Sequence, residues 1–289
     1  MNKIKLFTSC LLIVLVAISV QVLTGCRPKP LTINVKSAPE KLVVFTHLIP
    51  DKYMIITLTK SFSVLEGIKE DDISSLLVSG ATIQVKFNNQ TFDFIEINPG
   101  IYISYSEAYD YNQEYELVIT SGEHVVTSKT VMLPKVDFSN CLPQVDKHPG
   151  DTNIFVNVAF NDIPDKSNWY MLNFYAKTSI YSNMDGVNYF ENGKNSSLQT
   201  ILVSDKEFAG AYSKKVKLEG VTAHDSIVVT LSNINEQYFN YLKIRGTNGG
   251  NILNQLNMEP ISYPSNITNG YGFFNAHFPD IQYFDLSQF

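Results

Sequence analysis

The sequence predicts a mainly all-β fold: two packed β-sandwich-like domains, with one short helix in the second. Three observations predict it. Short segments rich in Val, Ile, Leu, Phe and Tyr alternate apolar and polar residues with a period of two. Clusters of Gly, Pro, Asn, Asp and Ser punctuate them about every 8–12 residues, the spacing of sandwich and barrel folds. Beyond one short acidic turn, only one stretch repeats its apolar residues at helical spacing.

Residues 1–25 read as an export signal. Lys3 and Lys5 make a short positive start, and residues 11–20 are apolar apart from Ser19. That run is too short for a membrane span, which needs about 20 residues. A plain secretory signal ends in a small-x-small site, whereas here Leu23, Thr24 and Gly25 precede Cys26. This is the lipobox order of bacterial lipoproteins. Its thiol is the attachment point for lipid, and the small Gly25 gives a peptidase access to the bond before Cys26. A one-helix anchor or an ordinary signal peptide would account for fewer of these features. Residues 26–40, with Pro28, Pro30 and Pro39, read as a lipidated tether, whose Arg27 and Lys29 stand where they can touch anionic headgroups.

Removing the signal leaves 20 basic against 28 acidic residues, a net charge of −8. No basic face for nucleic acid is expected. Lys214, Lys215 and Lys217 cluster in a predicted strand and read as a solvated face. Cys141 is the single thiol left, so no disulfide framework is expected, and it reads as a small buried hydrophobe.

The first β domain is placed at 41–136. Strands are expected at 41–49, 53–60, 81–87, 91–97 and 101–105, with Pro50-Asp51, Asn88-Asn89 and Asn98-Pro99-Gly100 as turns. Residues 115–120 and 124–132 form a hairpin around Ser121-Gly122. Glu70, Asp71 and Asp72 favour a short helix or turn over 70–78. The second domain is placed at 137–289, opening with a connector at 134–150 that holds Pro143, His148, Pro149 and Gly150. Strands follow at 153–160, 169–177, 197–203, 213–218 and 226–231. A helix then starts at Ser232 or Asn233, carries Ile234, Tyr238, Tyr241 and Leu242 on one face, and ends before Gly246. From Met258 onward the tail reads as a loop-like strap, apolar enough to pack on the body.

Catalytic motifs are missing. There is no G-x-S-x-G elbow, no H-E-x-x-H and no phosphate-binding G-x-x-x-x-G-K-S/T. Gly270-Tyr271-Gly272 opens a dinucleotide fingerprint, but Asn275 stands where its third glycine belongs. His47, His124, His148, His224 and His277 show no metal-ligand spacing. Asp162, Asp165 and Asn168 offer oxygen donors in one loop. Pro164 and Lys166 interrupt them, and neither a glycine turn nor a terminal Glu follows, so a plain turn is expected and no metal. The 16 Tyr and 18 Phe with the single Trp169 serve either a β core or stacking platforms for a sugar or peptide. Two stretches are candidate contact surfaces: the loop with Asp162, Asp165, Asn168 and Trp169, and the tail with Asn266, Asn269 and Tyr271. Asp225-Ser226-Ile227 fits, by resemblance, the short pattern at which Bacteroidota attach O-glycans.

Several stretches together resemble a known family. They are Leu42-Val43-Val44-Phe45, Ile56-Thr57-Leu58-Thr59-Lys60-Ser61, Val78-Ser79-Gly80-Ala81-Thr82-Ile83 and Pro99-Gly100-Ile101-Tyr102. Phe160-Asn161-Asp162-Ile163-Pro164 and Asn168-Trp169-Tyr170 follow. The most specific piece joins Tyr238 and Leu242 to Glu259-Pro260-Ile261 and then to the run from Ser265 to Phe274. In order and spacing the chain resembles the Bacteroidota lipoproteins grouped as domain of unknown function 4249. The resemblance implies an outer-membrane lipoprotein, often encoded beside a TonB-dependent receptor, with an immunoglobulin-like N-terminal half. It implies no catalytic residue and no cofactor beyond the covalent lipid on Cys26. Surface-displayed lipoproteins of these bacteria often carry an acidic run after the lipidated cysteine; Arg27, Pro28 and Lys29 stand here instead, so neither face of the membrane is favoured. The expectation is a non-enzymatic accessory lipoprotein of a TonB-dependent uptake system. The alternative is a free-standing glycan- or protein-binding lipoprotein, adhesin-like, whose ligand the sequence does not name.

Overall fold

The computed structural model describes residues 39–49, 53–61, 74–105, 110–148, 151–176, 197–247 and 263–289. The lipobox, Cys26, the tether up to residue 38, Glu70 to Asp72 and Met258 to Ile261 lie outside the described residues. The described residues are mainly β, built as two sandwiches with one α-helix among them.

The first sandwich contains β1 (Leu42–Ile49), β2 (Tyr53–Lys60), β3 (Thr82–Phe87), β4 (Gln90–Asp93), β5 (Ile95–Asn98), β6 (Ile101–Tyr105), β7 (Glu114–Ser121) and β8 (His124–Val131). Two late strands complete it, β15 (Ile267–Thr268) and β16 (Tyr271–Phe273), giving sheets ordered β16-β1-β2-β6-β5 and β15-β8-β7-β3-β4. Alternation sends Val44, Ile56, Leu58, Ile83, Leu117 and Ile119 between the sheets, each at most 1% exposed. Phe87 stacks on Phe92 and Tyr115 at 4.8 and 4.4 Å. The hairpin from β3 to β4 turns through Asn88 and Asn89, both at positive φ, as a two-residue turn matched to strand twist requires.

The single strand expected at 91–97 is in fact two. β4 pairs with β3 in one sheet and β5 with β6 in the other. The chain crosses at Phe94, which drops its ring into the core and donates its N–H to the Ile83 carbonyl at 3.1 Å. A crossover of one residue leaves the alternating pattern intact, so the pattern reads through it. Of the acidic turn expected at 70–78, the described part is a short 3-10 turn at 74–76.

The second sandwich contains β9 (Phe138–His148), β10 (Asp151–Asn161), β11 (Trp169–Ala176), β12 (Ser197–Ser204), β13 (Ala211–Leu218), β14 (Ser226–Ile234) and β17 (Asp280–Asp285), ordered β13-β10-β9 and β12-β11-β14-β17. The connector expected at 134–150 is therefore largely a strand. Pro143 suggested a break, yet β9 is an edge strand, where the missing N–H of proline is tolerated. The expected helix also starts later. β14 continues to Ile234, keeping Ser232 and Asn233 buried in the sheet, and Asn235 is the cap: its Oδ1 accepts from the Tyr238 N–H at 2.8 Å. The helix, α1 (Glu236–Thr247), runs through Gly246.

The described tail, residues 263–289, is a strap that holds three short strands where a loop was expected. β15 pairs antiparallel with β8 and β16 pairs parallel with β1, so residues 267–273 close one side of the first sandwich. β17 then pairs with β14 in the second. The segment placed by sequence in the 137–289 domain thus serves both sandwiches.

Candidate functional site

The loop singled out at Asp162, Asp165, Asn168 and Trp169 lies between β10 and β11, and its polar groups are turned on one another. Asn168 is buried at 4% exposure. Its Nδ2 donates to Asp162 Oδ1 at 3.1 Å, to the Ile163 carbonyl at 2.7 Å and to the Lys166 carbonyl at 3.0 Å. Its N–H donates to Asp205 Oδ2 at 2.9 Å, and its carbonyl accepts the Asp205 N–H at 3.1 Å. The Tyr170 hydroxyl donates to Asp162 Oδ1 at 2.5 Å and accepts the Ile163 N–H at 3.2 Å. Burial, and then the bond to Asp162, push the Tyr170 phenol well above its usual range. Asp165 sits at the exposed tip with φ +65°, and Trp169 packs half-buried beside Met171, Ile234 and Phe239. The Asp162 and Asp205 carboxylates and the Asn168 carboxamide are thus spent on holding a buried loop crossing. Turn chemistry accounts for the residue types.

The second predicted surface, Asn266, Asn269 and Tyr271, belongs to the strap. Asn266 makes a strand-like reciprocal pair with its own chain: Nδ2 donates to the Phe274 carbonyl at 2.7 Å, and Oδ1 accepts the Phe274 N–H at 2.9 Å. Its carbonyl accepts the Ser128 hydroxyl at 2.8 Å. Asn269 supplies a positive-φ turn (+64°) between β15 and β16. Gly272 is required by close approach: a Cβ there would lie 1.9 Å from the Val44 carbonyl oxygen, at φ +98°. Of the three predicted residues Asn266 is half-buried while Asn269 and Tyr271 are exposed, and the Lys41 ammonium lies 5.0 Å from the Tyr271 ring centre.

Where the strap passes from one sandwich to the other it builds a polar seam that sequence reasoning missed. The Thr46 hydroxyl accepts the Asn275 N–H at 3.0 Å. Asn275 Oδ1 accepts from Asn235 Nδ2 at 3.0 Å, and Asn275 Nδ2 lies 2.8 Å from His277 Nδ1. Asn235 Nδ2 also reaches the Thr130 hydroxyl at 3.3 Å. His277 is 8% exposed and stacks near Tyr238, and burial holds its imidazole down at about 4. Helix α1 wedges over this seam. Tyr238 and Tyr241 pack on Phe273 at 5.2 and 5.3 Å, Arg245 lies over Phe45, and Phe239 turns to Met171 and Ile234 of the second sandwich. Beside it, Lys135 pairs with Asp280 at 3.1 Å while Asp280 Oδ2 accepts the Phe138 N–H. Thr46, Thr130, Asn235 and the Asn275–His277 pair stand in four distant parts of the sequence, and no spacing links them; the one available signal was a His two residues after an Asn in an apolar tail.

The chain matches the family model described as Domain of unknown function (DUF4249) over residues 28–278. It belongs to the DUF4249 family. No match was found among curated proteins. The DUF4249 match takes in the first sandwich, α1, His277 and every strand of the second sandwich except β17, before which it stops. It covers every carrier of the resemblance noted in the sequence. Cys26 lies two residues ahead of it.

Proposed function

We propose that the chain is a non-enzymatic lipoprotein of the bacterial outer membrane, of the Bacteroidota type, held by lipid on Cys26 and accessory to a TonB-dependent receptor in nutrient uptake. The observation that carries this reading is the order Leu23, Thr24, Gly25, Cys26 placed directly ahead of a body that matches its family from residue 28. Each acyl methylene buried in the bilayer contributes about 0.8 kcal/mol, so two or more chains anchor the body durably. The anchor's physical consequence is confinement. A protein restricted to the plane of the membrane meets a neighbouring receptor at high effective concentration, and a weak interface then suffices.

The test is gentle detergent extraction of the tagged, full-length protein from its native envelope, followed by mass spectrometry of what accompanies it. A TonB-dependent receptor recovered in near-equal amount is the expected result, and Cys26→Ser should release the protein from the membrane fraction. Fractionation with the inner membrane, together with unchanged receptor-dependent uptake after deletion, would overturn the reading. Recovery from the outer membrane without a receptor would instead favour the free-standing binding lipoprotein.

A further inference from the structure

We propose that the outer face of the three-stranded sheet β13-β10-β9 binds a neutral oligosaccharide. The face is defined by register. Ile154, Val156, Val158 and Phe160 of β10 turn into the core at 1% exposure or less. Alternation therefore turns Asn153, Phe155 and Asn157 outward. Their cross-strand partners share that face: Gln144 and Lys217 lie opposite Phe155, and Leu142 and Lys215 opposite Asn157.

The composition of the face argues for a ligand. Asn is depleted in strands because its carboxamide competes for backbone hydrogen bonds, yet Asn153 and Asn157 occupy strand positions on either side of one outward aromatic ring. Asn140 adds a third strand carboxamide on β9, its Nδ2 3.4 Å from the Asn157 carbonyl. Asn157 Nδ2 lies 3.5 Å from Gln144 Oε1, and Gln144 Nε2 donates to Asp146 Oδ1 at 2.7 Å, so the amides of this face form a connected polar row beside the ring. A flat ring offers its face to the C–H side of a pyranose, while carboxamides pair a donor and an acceptor with vicinal hydroxyls. Leu142, 53% exposed in the neighbouring row, extends the apolar platform.

Charge selects a neutral ligand. The Lys215 ammonium lies 4.2 Å from the Phe155 ring centre and 4.0 Å from Asp146, and Lys217 lies 3.3 Å from Glu219. Each lysine is matched by a carboxylate, so the face attracts neither anion nor cation strongly. Lys215 covers the ring in the free protein, and its long exposed side chain can swing aside when a sugar stacks.

This inference rests on the body alone, not on the receptor partnership, so the two fail in different experiments. The test is affinity electrophoresis of the full-length protein in detergent, through gels containing an α-glucan, a β-glucan, a xylan or a mannan, with polygalacturonate as the charged control. At least one neutral polymer should retard the protein. Phe155→Leu, which keeps an apolar side chain but removes the ring, and Asn157→Ala should each weaken that retardation tenfold or more. Ile95→Ala, on the exposed edge strand β5 of the other sandwich, should leave it unchanged. Thermal unfolding of each variant, run alongside, shows that the fold is retained. No retardation by any neutral polymer, retardation by polygalacturonate alone, or equal retardation of all variants would overturn the proposal.

Discussion

Acidification from pH 7 to pH 5 should weaken the seam between the sandwiches through one side chain, His277. Its Nδ1 lies 2.8 Å from Asn275 Nδ2, and Asn275 Oδ1 is held by Asn235 at 3.0 Å, so this arrangement has the amide donating and Nδ1 as a bare acceptor. A proton on Nδ1 would face that donor. Asn275 could flip to meet it only by giving up the bond from Asn235. Burial places the folded imidazole at about 4, against about 6.5 in the unfolded chain. The unfolded state therefore binds more protons between these values. The stabilisation is full above the unfolded value and is lost as pH falls towards the folded one. Linkage gives a loss of about 2 kcal/mol at pH 5 and about 3 kcal/mol at pH 4 relative to pH 7. Carboxylates elsewhere also titrate in this range, so the measurement is a difference. Urea midpoints of the full-length protein and of His277→Gln, taken at pH 7, 6 and 5, should diverge by about that amount, the wild type losing more. If both proteins lost stability in parallel from pH 7 to pH 5, the assignment to His277 would be refuted.

Gly272→Ala places a Cβ 1.9 Å from the Val44 carbonyl at a left-handed φ. Strain and overpacking together should cost about 3 kcal/mol or more, and limited proteolysis should newly cut the strap; an unchanged digestion pattern would count against its docking. Asn168→Ala leaves the Asp162, Ile163 and Lys166 oxygens without their shared donor, which should cost about 1–3 kcal/mol by denaturant unfolding, whereas Asp165→Gly at the exposed positive-φ tip should be neutral or mildly stabilising. The Cys141 thiol is pushed up to about 12, first by burial and then by Asp280. At pH 8 its thiolate fraction is on the order of 10⁻⁴, so iodoacetamide should leave it unmodified in the native protein and label it in urea, as read by peptide mapping.

The strands that were legible in the sequence share one property: a period of two maintained between unambiguous turns. β1, β7 and β8 are of this kind, because one face of each is buried and a slip by one residue would reverse it. β9 was hidden by Pro143, whose cost depends on whether a strand lies at an edge, and that is known only once the sheet is assembled. The break at Phe94 was invisible for the opposite reason, since a single-residue crossover does not disturb alternation. Asp162 and Asn168 were read as turn residues from their local spacing, and the structure returns a turn with a buried clasp to Tyr170 and Asp205.

By itself, the sequence determined the β class, the order of most strands, the presence of one helix and the family to which the chain belongs. Those properties reside in short-range periodicity and in the order of motifs along the chain. Only the tertiary structure decided that the tail closes the first sandwich, that α1 wedges against both, and that Thr46, Thr130, Asn235, Asn275 and His277 meet in one seam. The same holds for the amide-flanked Phe155 face, which requires β9, β10 and β13 to lie side by side in one register. Non-local pairing is set by the summed burial of whole sheets and by the loops that bring distant strands together. No local window of residues encodes that sum.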